Sequence, residues 1–273
     1  MKTQVESKAV LWDLADAEAY SAIRLGRLGL LETVGDLAVD AAPQAADPHA
    51  VPYSTFSYVM AYDAKKFGDD PPKTWADVWN VEKYPGKRAF YKWMSANLEC
   101  ALLADGVPPD QLYPLDVDRA LRKFEELKPH ILTNWGTGSE SQQLLRDGEV
   151  TICHMWHTRA FLLKQDTAGA VDFTFNQGIL DHGVWAVPKG NPAGLEAARK
   201  ALAVTQDPAV QAKLMEAYKY GPTNPKANDL IPEALRAVNP SDPANRSRQV
   251  IKNNAWYADN YGTALDRWLA LFG

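Results

Sequence analysis

Short apolar segments with strand character alternate with segments of helical periodicity along most of the 273-residue chain. Strands are predicted at residues 9–12, 57–62, 88–91, 131–135, 150–156, 171–175 and 183–188. Helices are predicted at residues 16–28, 97–104, 116–127, 139–146, 159–165, 195–204, 208–218 and 255–271, with Asp16 as an N-cap and a short helix capped by Thr74. This order predicts an α/β fold with parallel sheets.

The length of the chain exceeds the usual size of a single domain, which favours two lobes. Breaks in the pattern near residues 62–73 and 175–178 place the lobe boundaries. The first lobe is predicted to be discontinuous, with residues 1–64 and 178–273, and the second to cover residues 65–177. Two segments of chain would then cross between the lobes and form a hinge, with a ligand bound in the cleft between them.

Composition and charge exclude several classes of protein. The chain has 29 Lys plus Arg and 34 Asp plus Glu, a net charge of −5, whereas nucleic-acid-binding domains are usually basic. No apolar run approaches the length of about 20 residues that spans a bilayer. The two cysteines, Cys100 and Cys153, exclude a disulfide-rich scaffold and leave one optional disulfide open.

Motifs for catalysis or for a cofactor are not found. The chain contains neither a P-loop nor a dinucleotide-binding glycine motif, and Ser139 in Gly136–Glu140 does not have the spacing of a nucleophile elbow. His154 and His157 lie in a strand-like run at a spacing that directs them to opposite faces, which argues against a shared metal ion. We therefore expect a binding protein without a cofactor, and not an enzyme.

Several segments, in this order and spacing, resemble the bacterial extracellular solute-binding proteins of ABC importers, in the spermidine/putrescine-type branch. The segments that carry the resemblance are Val51–Ser54, Ala61–Asp63, Thr74–Trp79, Tyr84–Ala89, Leu144–Val150, Met155–Ala160, Trp185–Gly190 and Tyr220–Asn224, together with Trp256, Tyr257 and Trp268. The resemblance implies the two-lobed type II periplasmic-binding fold, a periplasmic location and a monomer. It also implies that the protein delivers a small ligand to a membrane permease with its ATPase. The chain is expected to lack the family's export signal and first strand–helix unit.

The segment from Trp156 to Arg159 indicates the class of ligand. Trp135 and Trp156 end predicted strands, where an indole can pack on an alkyl chain or attract a cation. Arg159 follows one turn later, and a guanidinium can hold a carboxylate through two parallel hydrogen bonds. Relatives that take up γ-aminobutyrate-like amino acids use a Trp-x-x-Arg segment of this kind. An arginine would repel a polyamine. Core packing of the indoles stays open as an alternative, as does a surface arginine or a structural ion pair for Arg159.

The remaining candidates are weaker. Asp181 could bind a ligand amine, with His182 behind it, but it could equally be a turn residue. The acid that polyamine binders carry on this stretch aligns with Gly183, so it is missing here. Further candidates are the first-lobe loop, the start of a helix and two aromatic residues: Tyr53, Ser54, Thr55, Phe56, Thr137, Ser139, Trp93 and Tyr220. The predicted function is capture of a small amino acid by lobe closure; the alternatives are a polyamine-binding protein and a truncated product that binds nothing.

Overall fold

The computed structural model describes residues 1–38 and 47–273. The strands in this part of the chain are β1 Ala15–Glu18, β2 Ala50–Asp63, β3 Arg88–Tyr91, β4 Ile131–Trp135, β5 Ile152–Trp156, β6 Val171–Ala186 and β7 Val250–Ile251. The α-helices are α1 Lys2–Glu6, α2 Ala19–Arg27, α3 Ala64–Phe67, α4 Trp75–Trp79, α5 Asn97–Ala104, α6 Val117–Leu127, α7 Gly138–Arg146, α8 His157–Asp166, α9 Leu195–Thr205, α10 Pro208–Tyr218, α11 Glu233–Arg236, α12 Pro243–Arg246 and α13 Asn254–Phe272.

Most of the predicted elements are present, with differences in two regions. The strands predicted separately at 171–175 and 183–188 are parts of one strand, β6, which runs through the predicted break at 175–178. The other differences lie near the N-terminus. The strand predicted at residues 9–12 is wrong, because Leu11 and Trp12 are exposed and the first strand lies at Ala15–Glu18. Asp16 therefore belongs to β1 and does not cap α2, whose N-cap is Glu18. The composition of residues 40–52, rich in Ala, Asp and Pro, predicts a surface loop there. Residues 50–52 instead begin the long strand β2, and residues 40–46 lie outside the described part of the chain.

The chain forms two compact units, and neither is a single stretch of sequence. Unit 1 comprises Met1–Phe56, Asp181–Pro243 and Asn253–Asp259; unit 2 comprises Ser57–Leu180, Ala244–Lys252 and Asn260–Gly273. From the sequence, the lobe boundaries were predicted between residues 64 and 65 and between residues 177 and 178. In the structure, the chain changes from unit 1 to unit 2 between residues 56 and 57, within β2, and returns to unit 1 between residues 180 and 181, within β6. The functional lobes stay a prediction.

Unit 2 is built on parallel strands. The strand β3 pairs in parallel with β4 on one side and with β5 on the other, so these three strands end at the same edge. On the far side of β5 the second half of β2 runs antiparallel, with Tyr58 opposite Trp156. The buried residues Phe90, Phe124, Trp75 and Trp268 fill the core of this unit.

Unit 1 departs from the predicted parallel arrangement. Its strand β1 runs antiparallel to the second half of β6, with Ala15 opposite Ala186 and Glu18 opposite Gly183. This pair therefore needs no strand–helix–strand crossover between its members, unlike the parallel pairs of unit 2. One buried cluster of this unit, Val34, Val51, Val187, Ala198 and Leu202, packs α9 against the sheet.

The structure shows whether Cys100 and Cys153 form the disulfide that the sequence left open. Cys100 and Cys153 are both buried in unit 2 and both carry free thiols. Burial raises the pKa of both thiols above the ordinary value of a cysteine. The optional disulfide is therefore not formed.

Within residues 1–38 and 47–273, no helix is both long and apolar enough to cross a membrane.

Candidate functional site

Three aromatic residues end the parallel strands of unit 2. Tyr91, Trp135 and Trp156 are the last residues of β3, β4 and β5. Their rings pack together: Tyr91 lies 4.7 Å from Trp135 and 5.4 Å from Trp156, and the two indoles meet edge to face at 5.0 Å. Ligands of α/β proteins bind outside the carboxyl ends of parallel strands, so this edge is the candidate site of unit 2.

The two indoles of this aromatic cluster differ in what they offer a ligand. Trp135 is fully buried, and its indole N–H donates to the backbone carbonyl of His154 at 2.7 Å. Trp156 is half-buried, and its indole N–H has no acceptor among the described residues. In this arrangement Trp156 presents the accessible indole, while Trp135 supports it from the protein side.

Arg159 lies in the first turn of α8, which begins directly after Trp156. Its side chain is exposed and passes over Gly138, the first residue of α7. A Cβ atom placed on Gly138 would lie only 2.7 Å from Nε and 3.0 Å from Cγ of Arg159. The guanidinium has no hydrogen-bond or ion-pair partner in the part of the chain that the structure describes. Of the two alternatives for Arg159, the described residues contain no structural ion pair, whereas the exposed side chain agrees with a surface arginine.

The start of α7 lies beside Arg159 and carries the predicted residues Thr137 and Ser139. The N-cap is Thr137, whose Oγ1 accepts from the Glu140 N–H at 3.3 Å. The Glu140 carboxylate in turn accepts from the Gly136 N–H at 2.8 Å. Thr137 and Ser139 are exposed, with their hydroxyl oxygens 3.3 Å apart. Glu140 places a negative charge at this helix start, and Arg159 is a cation that lies beside it.

In unit 1, the predicted loop residues 53–56 belong to β2. The Tyr53 ring stacks on Trp185 at 5.0 Å, and its hydroxyl donates to the Asp16 carboxylate at 3.1 Å. Burial and the charge of Asp16 raise the pKa of Tyr53, so the hydroxyl stays a donor. Tyr220, in the same unit, lies near enough to Tyr53 to contribute to this rise in pKa.

Two hydroxyl residues of this strand, Ser54 and Thr55, are buried in unit 1. Ser54 is buried beside Gly183, and Thr55 is buried with its Oγ1 2.5 Å from Ser241 Oγ. The Thr55 backbone also pairs with Gly221 in both directions. Phe56 is half-buried at the end of this stretch.

Asp181 lies in the interior of unit 1. It is 2% exposed, and its Oδ1 accepts from the His182 N–H and from Asn254 Nδ2, each at 2.8 Å. These donors hold a buried carboxylate within β6, so the turn residue that the sequence offered as the alternative to amine binding is wrong. Trp93 in unit 2 follows β3, is 36% exposed and lies under the Lys92 ammonium at 5.5 Å.

The two histidines of the strand-like run have separate surroundings. His154 is buried in β5, stacked on Tyr58 at 5.3 Å, whereas His157 begins α8 and accepts the Ser57 N–H at 3.0 Å. Among residues 1–38 and 47–273, no group of three or more His, Cys, Asp or Glu is arranged to hold a metal ion.

Sequence reasoning missed three residues of these arrangements. Asp16 was taken as a helix cap, Trp185 only as part of a motif, and Gly138 only as part of a helix start. The first two come together through the pairing of β1 with β6, where Asp16 lies opposite Trp185. A pairing of distant strands leaves no local signal in the sequence, whereas the position of Gly138 before Ser139 could have suggested a close approach.

Comparison with known proteins identifies the family. Residues 1–244 match the family of bacterial extracellular solute-binding proteins. A gamma-aminobutyric acid-binding protein of Pseudomonas aeruginosa is 32% identical over 255 residues, which are 90% of this chain and 71% of the relative.

Two solved structures are similar over the full chain. An ABC transporter substrate-binding protein from Bradyrhizobium japonicum USDA 110 aligns with a TM-score of 0.94 and 41% identity, covering 100% of this chain and 86% of that one. The Atu4243-GABA receptor aligns with a TM-score of 0.91 and 32% identity, covering 100% and 84%. These similarities confirm the predicted α/β periplasmic-binding fold and the solute-binding role. The chain therefore belongs to the bacterial extracellular solute-binding proteins.

Proposed function

We propose that this protein is the periplasmic, monomeric substrate-binding component of an ABC importer and that it captures a small amino acid of the γ-aminobutyrate type. The ligand carboxylate binds Arg159, and its alkyl chain packs on Trp156. The protein delivers the ligand to a permease with its ATPase and carries out no chemistry on it. The predicted closure of two lobes around the ligand is part of this proposal.

The observation that carries the proposal is the free guanidinium of Arg159. Another exposed arginine of the same unit, Arg146, pairs with the Asp166 carboxylate at 2.9 Å. Arg159 has no such partner among the described residues, although Gly138 leaves room for its side chain. A guanidinium held beside an aromatic surface matches a carboxylate in charge and in its two-pronged geometry.

The indole of Trp156 adds a second donor. Its N–H has no acceptor in the described part of the chain, and Trp156 is the strand-end residue directly before α8. A ligand oxygen bound by Arg159 could accept from this indole, while the methylene groups contact its ring face. The names of the γ-aminobutyrate-binding relatives support the same class of ligand.

The polyamine alternative is disfavoured by the same residues. A polyamine carries only cationic groups, and the unpaired Arg159 would repel it at this edge. At Gly183, a side chain would meet Ser54 Oγ at 2.9 Å and the Tyr53 ring at 3.2 Å. The acidic residue of polyamine binders is thus replaced by a glycine against which Tyr53 packs.

Isothermal titration calorimetry tests the proposal with γ-aminobutyrate, spermidine and putrescine as ligands. We expect binding of γ-aminobutyrate and about a 100-fold loss of affinity in Arg159→Met, because a charge-assisted hydrogen-bond pair is lost. Arg122→Met removes an exposed arginine of the same unit and should bind like the wild type. Binding of spermidine alone would overturn the carboxylate assignment, and no response to any of the three would favour the non-binding product.

A further inference from the structure

We propose that the outer edge of β4 in unit 2 is a docking groove for an extended, acidic segment of another protein, which lies along β4 as an additional strand. The order of the strands ends at β4, so among the described residues this strand has a neighbour, β3, on one side only. A cavity of about 410 Å³ lies beside the free edge, between β4 and the last turn of α13. Neither Arg159 nor Trp156 lines this groove, so the proposal does not depend on the ligand proposed above.

The backbone of β4 offers a hydrogen-bonding residue on the free side. The Lys92 N–H donates to the Trp135 carbonyl at 2.9 Å, so the backbone groups of Trp135 face β3. Neighbouring residues of a strand direct their backbone groups to opposite sides, so the N–H and C=O of Asn134 face the groove, which Asn134 lines. Leu132 lies at a bulge and has no residue opposite it on β3. An extended segment beside β4 can therefore exchange two backbone hydrogen bonds with Asn134.

The charge of the groove selects an acidic occupant. Two exposed lysines, Lys92 and Lys128, line it, and no Asp or Glu side chain of the described residues does. The Lys128 ammonium donates to the Leu271 carbonyl at 2.7 Å, and neither lysine pairs with a carboxylate within residues 1–38 and 47–273. Two carboxylates of a bound segment can supply the missing negative charge.

A second cavity of unit 2 shows what distinguishes this groove. The cavity beside Tyr84 is also lined by two lysines, but Asp70 lies within it and pairs with Lys83 at 2.8 Å. A second copy of the chain is disfavoured at the β4 groove, because a symmetric pair of edges would bring the lysines of both copies together. The acidic segment of a different protein is thus the occupant that the charges favour.

Apolar side chains complete the groove. Leu132 and Leu269 are 44% and 37% exposed, and Phe272 lies beside them. The Phe272 ring packs on Trp268 at 4.5 Å, and the Trp268 indole N–H donates to the Lys92 carbonyl at 2.9 Å. These contacts join the end of α13 to the segment after β3, so the groove is formed before a partner arrives. An apolar side chain of the partner can pack here between two acidic ones.

Heteronuclear NMR tests the groove with a blocked peptide of alternating Glu and Val. We expect shifts of the Leu132 and Asn134 amides on titration, and slower hydrogen exchange of the Asn134 N–H. A peptide of alternating Lys and Val, and free glutamate at the same carboxylate concentration, are the control ligands. Neither should reproduce the shifts, because the first has the wrong charge and the second has no extended backbone.

Fluorescence anisotropy with the labelled acidic peptide measures the effect of variants. Lys92→Glu combined with Lys128→Glu should weaken binding at least about 10-fold, whereas Lys65→Glu, at another exposed lysine of unit 2, should bind like the wild type. Asn134→Pro removes the N–H on the free side of an edge strand, where proline is tolerated, and should also weaken binding about 10-fold. Circular dichroism checks the fold, and the lysine variants keep the test decisive if Asn134→Pro does not fold.

Several results would overturn the proposal. Amides of Leu132 and Asn134 that do not respond to the acidic peptide would exclude the groove. Unchanged binding in the double lysine variant would exclude the charge recognition, and unchanged binding in a folded Asn134→Pro would exclude the added strand. Equal shifts with free glutamate would assign the groove to a small anion, and dimers in sedimentation that Asn134→Pro abolishes would assign it to a second copy.

Discussion

Gly138 controls the position of Arg159, although it has no functional group of its own. The Arg159 side chain passes over its Cα atom, so Gly138→Ala would push the guanidinium away from its present place. Because the displaced group is the flexible end of a side chain, the fold should tolerate the change. We expect an affinity for γ-aminobutyrate about 10-fold lower, with a free energy of unfolding within about 0.5 kcal/mol of the wild type.

Gly136→Ala is the matched control for this prediction. A Cβ atom at Gly136 would have no neighbour closer than 3.9 Å, although the residue lies in the same loop. Calorimetry on both variants compares the two positions. Equal affinities in Gly138→Ala and Gly136→Ala would show that the placement of Arg159 does not matter for binding.

His154 makes the stability of the protein sensitive to acid. It is 1% exposed, neither ring nitrogen has a hydrogen-bond partner in the described part of the chain, and burial lowers its pKa from 6.5 to about 3. Between these values the unfolded chain binds a proton that the folded protein does not bind. Stability attributable to His154 is therefore complete above pH 6.5 and falls by about 1.4 kcal/mol per pH unit as the pH drops toward 3.

Urea unfolding at pH 7, 6, 5 and 4 measures this dependence. His154→Phe keeps an aromatic ring between Tyr58 and Phe90 but cannot take up a proton, so its stability should fall less steeply over this range. His130→Gln, at a half-exposed histidine of the same unit, should keep the slope of the wild type. Parallel curves for His154→Phe and the wild type would refute the assignment.

At the scale of elements, a buried arginine connects α4 to β3. Arg88 is fully buried and donates to three backbone carbonyls, those of Val78, Tyr84 and Gly86, at 3.0, 2.6 and 2.5 Å. Burial lowers its pKa to about 10, so it is charged at neutral pH. The three bonds hold the segment between helix and strand without any carboxylate.

Replacement of this residue should therefore be costly. Arg88→Met leaves three buried acceptors without a donor, and we expect a loss of about 3 kcal/mol in the free energy of unfolding. Guanidinium chloride denaturation provides the measurement, with the exposed Arg122→Met as the control within about 0.5 kcal/mol. A loss below about 1 kcal/mol would mean that water replaces the guanidinium at these carbonyls.

The elements that the sequence predicts well are those with local signals. Thr74 and Asp77 form a capping box that starts α4, and this pattern is readable from the spacing of the two residues. The strand β1 lacks such a signal, because Ala15–Glu18 is short and becomes a strand only by pairing with β6. The same reason decides which residues could be predicted. Trp156 and Arg159 are one turn apart in sequence, so their proximity is a local signal. Asp16, Tyr53 and Trp185 are distant in sequence and meet only after the sheet has formed.

At the scale of the whole molecule, the rate at which the two free thiols react measures how often the folded protein opens. Cys100 and Cys153 are both completely buried, and burial raises their pKa, so few thiolates are available to react. We expect a thiol-reactive dye to label the native protein at least about 1,000-fold more slowly than the unfolded chain. Saturating γ-aminobutyrate should slow labelling further, since a ligand that binds only the folded protein stabilises it.

Absorbance of the released dye follows this reaction over time. Both thiols should be counted after denaturation without any reducing agent, because the structure has no disulfide. Rapid labelling of one thiol under native conditions would reveal a local opening of α5 or β5. That result would contradict the expectation that both residues are exposed only when unit 2 unfolds.

The division of the chain into interleaved segments has a consequence for its biosynthesis. Residues 253–259 complete unit 1, and residues 260–273 complete unit 2. Synthesis must therefore pass residue 253 before unit 1 can gain its last segment, and residue 260 before unit 2 can, so we expect stable tertiary structure to form late in both units. Until then, the apolar strands β2 and β6 are without part of their packing partners, which is the state in which folding chains aggregate most readily.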